Sequence, residues 1–91
     1  MQKKKQKSEA DIQKKIMDAH RERGWWVTKL IQTTSNGVPD LLLIKSGRSI
    51  LIEVKYKGKK PSPLQLYVHS QIEAAGGNVF VTDNEFFLLP D

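Results

Sequence analysis

Residues 37–56, GVPDLLLIKSGRSILIEVKY, decide the fold of this chain. Two runs of β-forming residues, 40–45 and 48–56, flank the dipeptide Ser46-Gly47, and this pattern predicts a β-hairpin with a two-residue turn. Because side chains alternate between the faces of a strand, the turn also fixes which residues of the two strands share a face. The hairpin therefore sets the register at its open end, where the polar residues lie.

Two carboxylates are predicted to meet at that open end. In the register that the turn sets, Asp40 opposes Glu53, and directly opposed side chains have Cβ atoms about 4.5–5.5 Å apart. Such a pair repels unless one acid is protonated or a cation lies between them. Lys55 follows Glu53 by two positions and projects from the same face. The other end of this face carries Leu42 opposite Leu51, which we expect to be buried.

The two acids and the lysine have the donor types of a divalent-metal site. Carboxylate oxygens suit Mg²⁺ or Mn²⁺. A metal held by Asp40 and Glu53 would neutralise a phosphodiester oxygen and lower the pKa of an attacking water. The main-chain carbonyl of Val54 is a natural further ligand, and Lys55 would orient the water or stabilise charge at phosphorus. The residues leave open a surface cluster of charges without chemistry.

The segments around the hairpin complete a small α/β sheet domain. Ser8, followed by acids in the first turn, predicts a helix over 8–23. The N-cap Ser62 and the capping-box residue Gln65 predict the start of a second helix. Further strands are predicted at 25–32 and 78–82. The order α-β-β-β-α-β indicates a mixed sheet of about four strands flanked by helices.

Side-chain burial is predicted from spacing. The second helix is expected to bury an apolar stripe of Leu64, Val68, Ile72 and Ala75. At most one of the adjacent tryptophans, Trp25 and Trp26, is expected to be buried, because they alternate across a strand. His20 and His69 have no ligand spacing and are predicted to be surface or packing residues.

The composition describes one small globular domain. A length of 91 residues fits a single domain, and 38% hydrophobic with 27% charged residues excludes a disordered or fibrous chain. Apolar runs such as 41–44 are far shorter than the roughly 20 residues of a membrane span, so we expect no membrane partner and a cytoplasmic location. The absence of cysteine excludes disulfides, thiolate metal sites and a cysteine nucleophile.

Charge is distributed unevenly along the chain. Residues 1–60 hold all 15 Lys and Arg and six of the ten acids, a net +9, whereas residues 61–91 hold four acids and carry −4. Clustered lysines of this kind indicate a polyanionic partner, most simply nucleic acid. A solubilising tail is the alternative for the first cluster. The lysines predicted to bind nucleic acid are Lys3, Lys4, Lys5, Lys57, Lys59 and Lys60.

The motif residues resemble a known nuclease family. Pro39-Asp40 followed after twelve residues by Glu53-Val54-Lys55 resembles the signature of PD-(D/E)XK nucleases. The chain resembles one branch of that superfamily, VRR-NUC (virus-type replication-repair nuclease), over about residues 8–83, with the motifs in the same order. Its resembling segments are Ser8 to Gln13, Gly37 to Leu41, Ile52 to Lys55, Ser62 with Gln65, and Gly76-Gly77. The resemblance implies a restriction-endonuclease-like fold, with 1–7 as a basic tail and 8–91 as one nuclease domain.

The resemblance also implies roles for single residues. Asp40, Glu53 and the Val54 carbonyl would be metal ligands, and Lys55 the catalytic lysine. Glu9 matches the first-helix glutamate, which implies a contribution to the metal site; a simple complement to the helix dipole is the alternative that the residues alone favour. Gln65 would assist the site, and its capping-box role remains an equal alternative.

The implied activity is endonucleolytic hydrolysis of DNA with Mg²⁺ or Mn²⁺. Small members of the family imply a homodimer, and four-way (Holliday) junctions or related branched DNA as substrate. A symmetric dimer would suit a symmetric junction and would add to a small core. A non-catalytic nucleic-acid-binding module and a basic RNA-associated protein are the competing interpretations. Neither of them requires two opposed acids.

Overall fold

The computed structural model describes residues 8–91, which form the predicted order of elements. The elements are α1 Glu9–Glu22, β1 Trp26–Lys29, β2 Leu41–Lys45, β3 Arg48–Val54, α2 Pro63–Ala74 and β4 Asn78–Thr82. Within these residues the strands form one sheet in the order β1-β2-β3-β4. The first three strands are antiparallel neighbours and β4 runs parallel to β3, with α2 as the crossover. This mixed sheet confirms the predicted fold class.

The hairpin between β2 and β3 has the predicted register. Lys45 pairs with Arg48 directly beside the turn. Ser46 and Gly47 have φ angles of 50° and 77°, as in a type I′ turn, whose twist matches that of the flanking strands. Ser-Gly therefore closes the hairpin with two residues and sets the pairing that follows.

The ladder between these strands ends before it reaches the acids. Its last pair is Leu41 with Ile52, and beyond it the Asp40 amide donates to the Ile52 carbonyl at 3.1 Å. Asp40 and Glu53 are therefore not ladder partners. The Asp40 amide bonds to Ile52, the residue before Glu53. β1 and β3 are also shorter than the predicted 25–32 and 48–56.

The hydrophobic core lies on the sheet face that α1 covers. Its members are Ile12, Ile16, Trp25, Val27, Leu41, Leu43, Ile50, Ile52, Val54 and Leu89. The opposite face, here called the outer face, carries Leu42, Ile44, Leu51 and Glu53. Leu42 and Leu51 are half-buried. The expectation that they would be buried was wrong, because the core occupies the other face of the hairpin.

The first helix begins and packs as predicted. The Ser8 side chain accepts from the Asp11 amide while the Asp11 carboxylate accepts from the Ser8 amide, a complete capping box. His20, fully buried near the end of α1, places its Nδ1 2.7 Å from the Ile16 carbonyl, and its Nε2 accepts from the Leu89 amide. A neutral His20 therefore ties the C-terminal segment to α1, a packing role as predicted.

The second helix does not bury the predicted stripe. Leu64 is 50% exposed, Val68 and Ile72 are half-buried, and Ala75 is exposed. Among the residues of α2, all of which are described, only His69 is buried. α2 turns Gln65 and His69 toward Glu53 on the outer face, so the surface that it presents to the sheet is partly polar.

One tryptophan is buried and the other is not. Trp25 is buried, and Trp26 is 59% exposed, as the alternation along a strand requires. Neither helix in residues 8–91 is long and apolar enough to cross a membrane.

Candidate metal and catalytic site

Asp40 is held in place by its own main chain. It stands directly before β2, where its carbonyl accepts from the Leu30 amide at 2.8 Å and its amide donates to Ile52. Its Oδ2 accepts from the Val54 amide at 2.8 Å. Asp40 therefore connects β1 and β3, and its side chain is directed at the residue that follows Glu53.

Glu53 is a carboxylate enclosed by polar side chains. It is 1% exposed, on the outer face of β3. Its Oε2 lies 3.6 Å from Lys55 Nζ and 3.5 Å from Gln65 Nε2, and its Oε1 lies 3.3 Å from His69 Nε2. Each oxygen of Glu53 thus has a nitrogen beside it, which is the requirement for burying a carboxylate.

The two acids affect each other electrostatically, as the sequence predicts. Burial and the neighbouring Asp40 carboxyl raise the pKa of Glu53 to about 8, from an ordinary 4.5, while Lys55 acts in the opposite direction. Without a cation between the acids, a proton on Glu53 takes its place at neutral pH. Asp40 and Glu53 are therefore brought together by their side chains and not by pairing of their main chains.

Gln65 makes two contacts with one side chain. Its Oε1 accepts from the Ser62 amide at 2.9 Å, which completes the capping box of α2. Its Nε2 faces Glu53 at the distance given above. The two alternatives left open by the sequence, a cap and a site residue, are geometrically compatible.

His69 is the site neighbour that sequence reasoning missed. It is 4% exposed, which agrees with the packing role that is one of its two predicted roles, and it also contacts Glu53. The missed signal is its spacing, because His69 follows Gln65 by four residues and i, i+4 side chains share a helix face. The spacing between the two histidines gives no sign of this contact, since the partner of His69 is a carboxylate.

Glu9 is not placed in a metal cluster by the described residues. In residues 8–91, no group of three or more His, Asp and Glu side chains is arranged to hold a metal ion. Glu9 is half-buried in the first turn of α1. Its contribution to a metal site, like that of the Val54 carbonyl, stays a prediction.

Three of the lysines predicted to bind nucleic acid follow the site along the chain. Lys57, Lys59 and Lys60 are exposed in the loop that follows β3. The loop is anchored at Gly58, whose amide donates to Asp83 Oδ2 at 3.0 Å. Lys3, Lys4 and Lys5 lie outside the described residues. Of the lysines predicted to bind nucleic acid, those that the structure describes therefore begin two residues after Lys55.

Donor chemistry at this position fits a hard divalent cation. Two adjoining carboxylates, one of which takes a proton at neutral pH, gain from a cation that relieves their repulsion. Lys55 supplies a positive charge at the edge of the same group and is half-buried.

Comparisons with known proteins agree with this geometry. No family model matches the chain. A protein of Acyrthosiphon pisum secondary endosymbiont phage 1, named "Putative nuclease p44", is 35% identical over 78 residues, covering 85% of this chain and 84% of that protein. A solved structure described as a VRR_NUC domain superposes with a TM-score of 0.73 at 36% identity, covering 80% of this chain and 81% of the other. On this similarity of sequence and fold, the chain belongs to the VRR-NUC family.

Proposed function

We propose that this protein is a divalent-metal-dependent DNA endonuclease that hydrolyses phosphodiester bonds in branched DNA. The observation that carries the proposal is the buried Glu53 carboxyl beside Asp40 and Lys55. A module that only binds nucleic acid gains nothing from such a pair, because adjoining acids repel each other and repel phosphate. The nuclease name of the phage relative supports the same conclusion.

Asp40 and Glu53 would hold Mg²⁺ or Mn²⁺, with the Val54 carbonyl and Glu9 as further contributors. When bound, the metal supplies Lewis-acid stabilisation of the phosphodiester and a lowered pKa of water. Asp40 is fixed for this role by its bonds to Ile52 and Val54. A preorganised ligand of this kind needs no rearrangement before it binds.

Lys55 would act on the reacting phosphate. Its ammonium lies 3.6 Å from Glu53 Oε2, so it is held at the edge of the carboxylate pair where phosphate would approach. It would orient the attacking water or stabilise charge on the pentavalent phosphorus. Gln65 would assist from α2 through its amide nitrogen. The attack would be direct, with no covalent enzyme intermediate.

DNA would be held by the exposed lysines beside the site. Lys57, Lys59 and Lys60 form a cationic loop directly after the catalytic strand, and the run at Lys3, Lys4 and Lys5 would add to it. Lysine contacts to phosphate are independent of base sequence. They would position the DNA, and the shape of the DNA would then determine which substrate is cut.

A homodimer acting on four-way junctions fits the surface of the sheet. Trp26 and its strand partner Ile44 are 59% and 36% exposed on the part of the outer face that α2 leaves uncovered. A second copy of this chain would bury them and enlarge a small core. Two symmetry-related sites would then make paired cuts in a symmetric junction.

The test is cleavage of linear, flap, fork and four-way DNA with Mg²⁺ and Mn²⁺ by the wild type, Asp40→Asn and Glu53→Gln. We expect both substitutions to abolish metal-dependent cleavage and to leave DNA binding intact, because the lysines are unchanged. Glu22→Gln, an exposed acid on α1, is the matched control. Full activity in either site variant would falsify the site assignment, and binding without cleavage by the wild type would identify a non-catalytic module. Sedimentation equilibrium at micromolar concentration tests the dimer.

A further inference from the structure

His69 lies where it can control the orientation of Glu53. It is in the second turn of α2 and is 4% exposed, so its ring is removed from solvent. Its Nε2 lies 3.3 Å from Glu53 Oε1. The other oxygen of Glu53 is approached by Lys55 and Gln65, whereas His69 contacts Oε1.

The hydrogen-bond direction follows from the state of the carboxyl. A metal-bound Glu53 would be ionised, and both its oxygens could then only accept, so the contact would require a hydrogen on His69 Nε2. A neutral ring with Nε2–H leaves Nδ1 unprotonated. His20 has the reverse tautomer, since its Nε2 accepts from the Leu89 amide.

We propose that His69 is a positioning residue for Glu53, donating a hydrogen bond from Nε2 that fixes the rotamer of this carboxylate for metal binding. The inference rests on the proposed metal site and goes beyond it by assigning a role to a residue on α2. Hydrogen-bonding partners of metal ligands typically change metal affinity or activity by about 10–100-fold when removed. A residue that only packed would have no such effect on metal affinity.

The experiment is a Mn²⁺ titration of the protein without DNA, in which the electron paramagnetic resonance signal of the free ion measures how much Mn²⁺ is bound. His69→Leu removes the donor and keeps an apolar side chain of similar bulk. His69→Gln retains a nitrogen donor at the end of a flexible chain. Gln71→Leu makes a comparable change on the exposed side of the same helix. Urea unfolding of each variant reports its stability separately.

We expect His69→Leu to weaken Mn²⁺ binding by about 10–100-fold, His69→Gln to restore most of it, and Gln71→Leu to leave it unchanged. Equal affinity for wild type and His69→Leu would overturn the inference and leave the metal site standing. Equal loss in His69→Leu and His69→Gln would also overturn it, because the donor would then be irrelevant. If the wild type bound no Mn²⁺, the proposed function itself would fail, and this inference with it.

Two spectroscopic readouts separate positioning from other roles. In the Mg²⁺-saturated protein, ¹⁵N NMR should show His69 protonated at Nε2 and His20 at Nδ1. Protonation of His69 at Nδ1 in that state would contradict the hydrogen bond to Glu53. In the Mn²⁺ protein, electron spin echo modulation should lack a directly bound imidazole nitrogen. Its presence would make His69 a ligand and overturn the positioning role.

Discussion

Replacing Glu53 by glutamine should stabilise the metal-free protein in a pH-dependent way. Folding raises the pKa of this carboxyl from 4.5 to about 8, through burial and the adjoining Asp40. The folded state therefore binds a proton that the unfolded state releases between these two pH values. Stability consequently falls as pH rises through this window, since the unfolded state binds fewer protons there. Glutamine resembles the protonated acid and does not titrate.

The size of the effect follows from the same shift. One pKa unit corresponds to 1.36 kcal/mol, so the free energy of unfolding of Glu53→Gln should exceed that of the wild type by ~3 kcal/mol at pH 7. The difference should be below ~1 kcal/mol at pH 5 and should stop growing above pH 8. At 1% exposure, Glu53 is screened little by solvent.

The assay is urea unfolding of both proteins in EDTA at pH 5, 6, 7 and 8, followed by tryptophan fluorescence at one protein concentration. Holding the concentration constant matters because assembly contributes to apparent stability. Glu22→Gln should show no such pH trend. Adding Mg²⁺ should stabilise the wild type and not Glu53→Gln, since ligands stabilise only the state that binds them. A difference between the proteins that stays constant from pH 5 to 8 would refute the reasoning.

Other parts of the molecule give shorter predictions. Leu89→Ala should lower the free energy of unfolding by about 2–5 kcal/mol, because Leu89 is 1% exposed in the core; a loss under ~1 kcal/mol in urea would contradict its anchoring role. Replacing Lys57, Lys59 and Lys60 together with Gln should reduce the slope of log K against log salt by about 2–3, measured by fluorescence anisotropy on junction DNA. An unchanged slope would place the DNA elsewhere. Trp26→Glu should convert the proposed dimer to single chains in sedimentation equilibrium, and an intact dimer would move the interface away from the outer face.

The hairpin and the first helix were predictable because local chemistry determines them. Ser46-Gly47 allows positive φ at both turn positions, and this fixes the pairing of β2 with β3. Ser8 and its capping box likewise mark the start of α1. The approach of Asp40 to Glu53 was predicted from that register, although the last ladder pair, Leu41 with Ile52, comes before these two residues. Beyond the ladder, the Asp40 side chain, and not its main chain, makes the contact with β3, by accepting from the Val54 amide.

The packing of α2 was not predictable from its periodicity. Spacing shows which residues share a helix face, but not which face meets the sheet. In α2 that face is selected by polar contacts of Gln65 and His69 with Glu53, while Leu64 remains half exposed. A pattern of apolar residues cannot report a packing contact made by an amide, an imidazole and a buried acid.

The weak burial of α2 connects the proposed assembly to the proposed site. This helix supplies two neighbours of Glu53, yet Leu66 and Tyr67 on it are 54% and 59% exposed. An element with so little buried apolar surface is among the first to open locally. A second chain packed on the outer face over Trp26 and Ile44 would extend the apolar contact on the side of the sheet where α2 lies. Dimerisation would then order the helix that orients Glu53, so that metal affinity and assembly would rise together, as linkage requires.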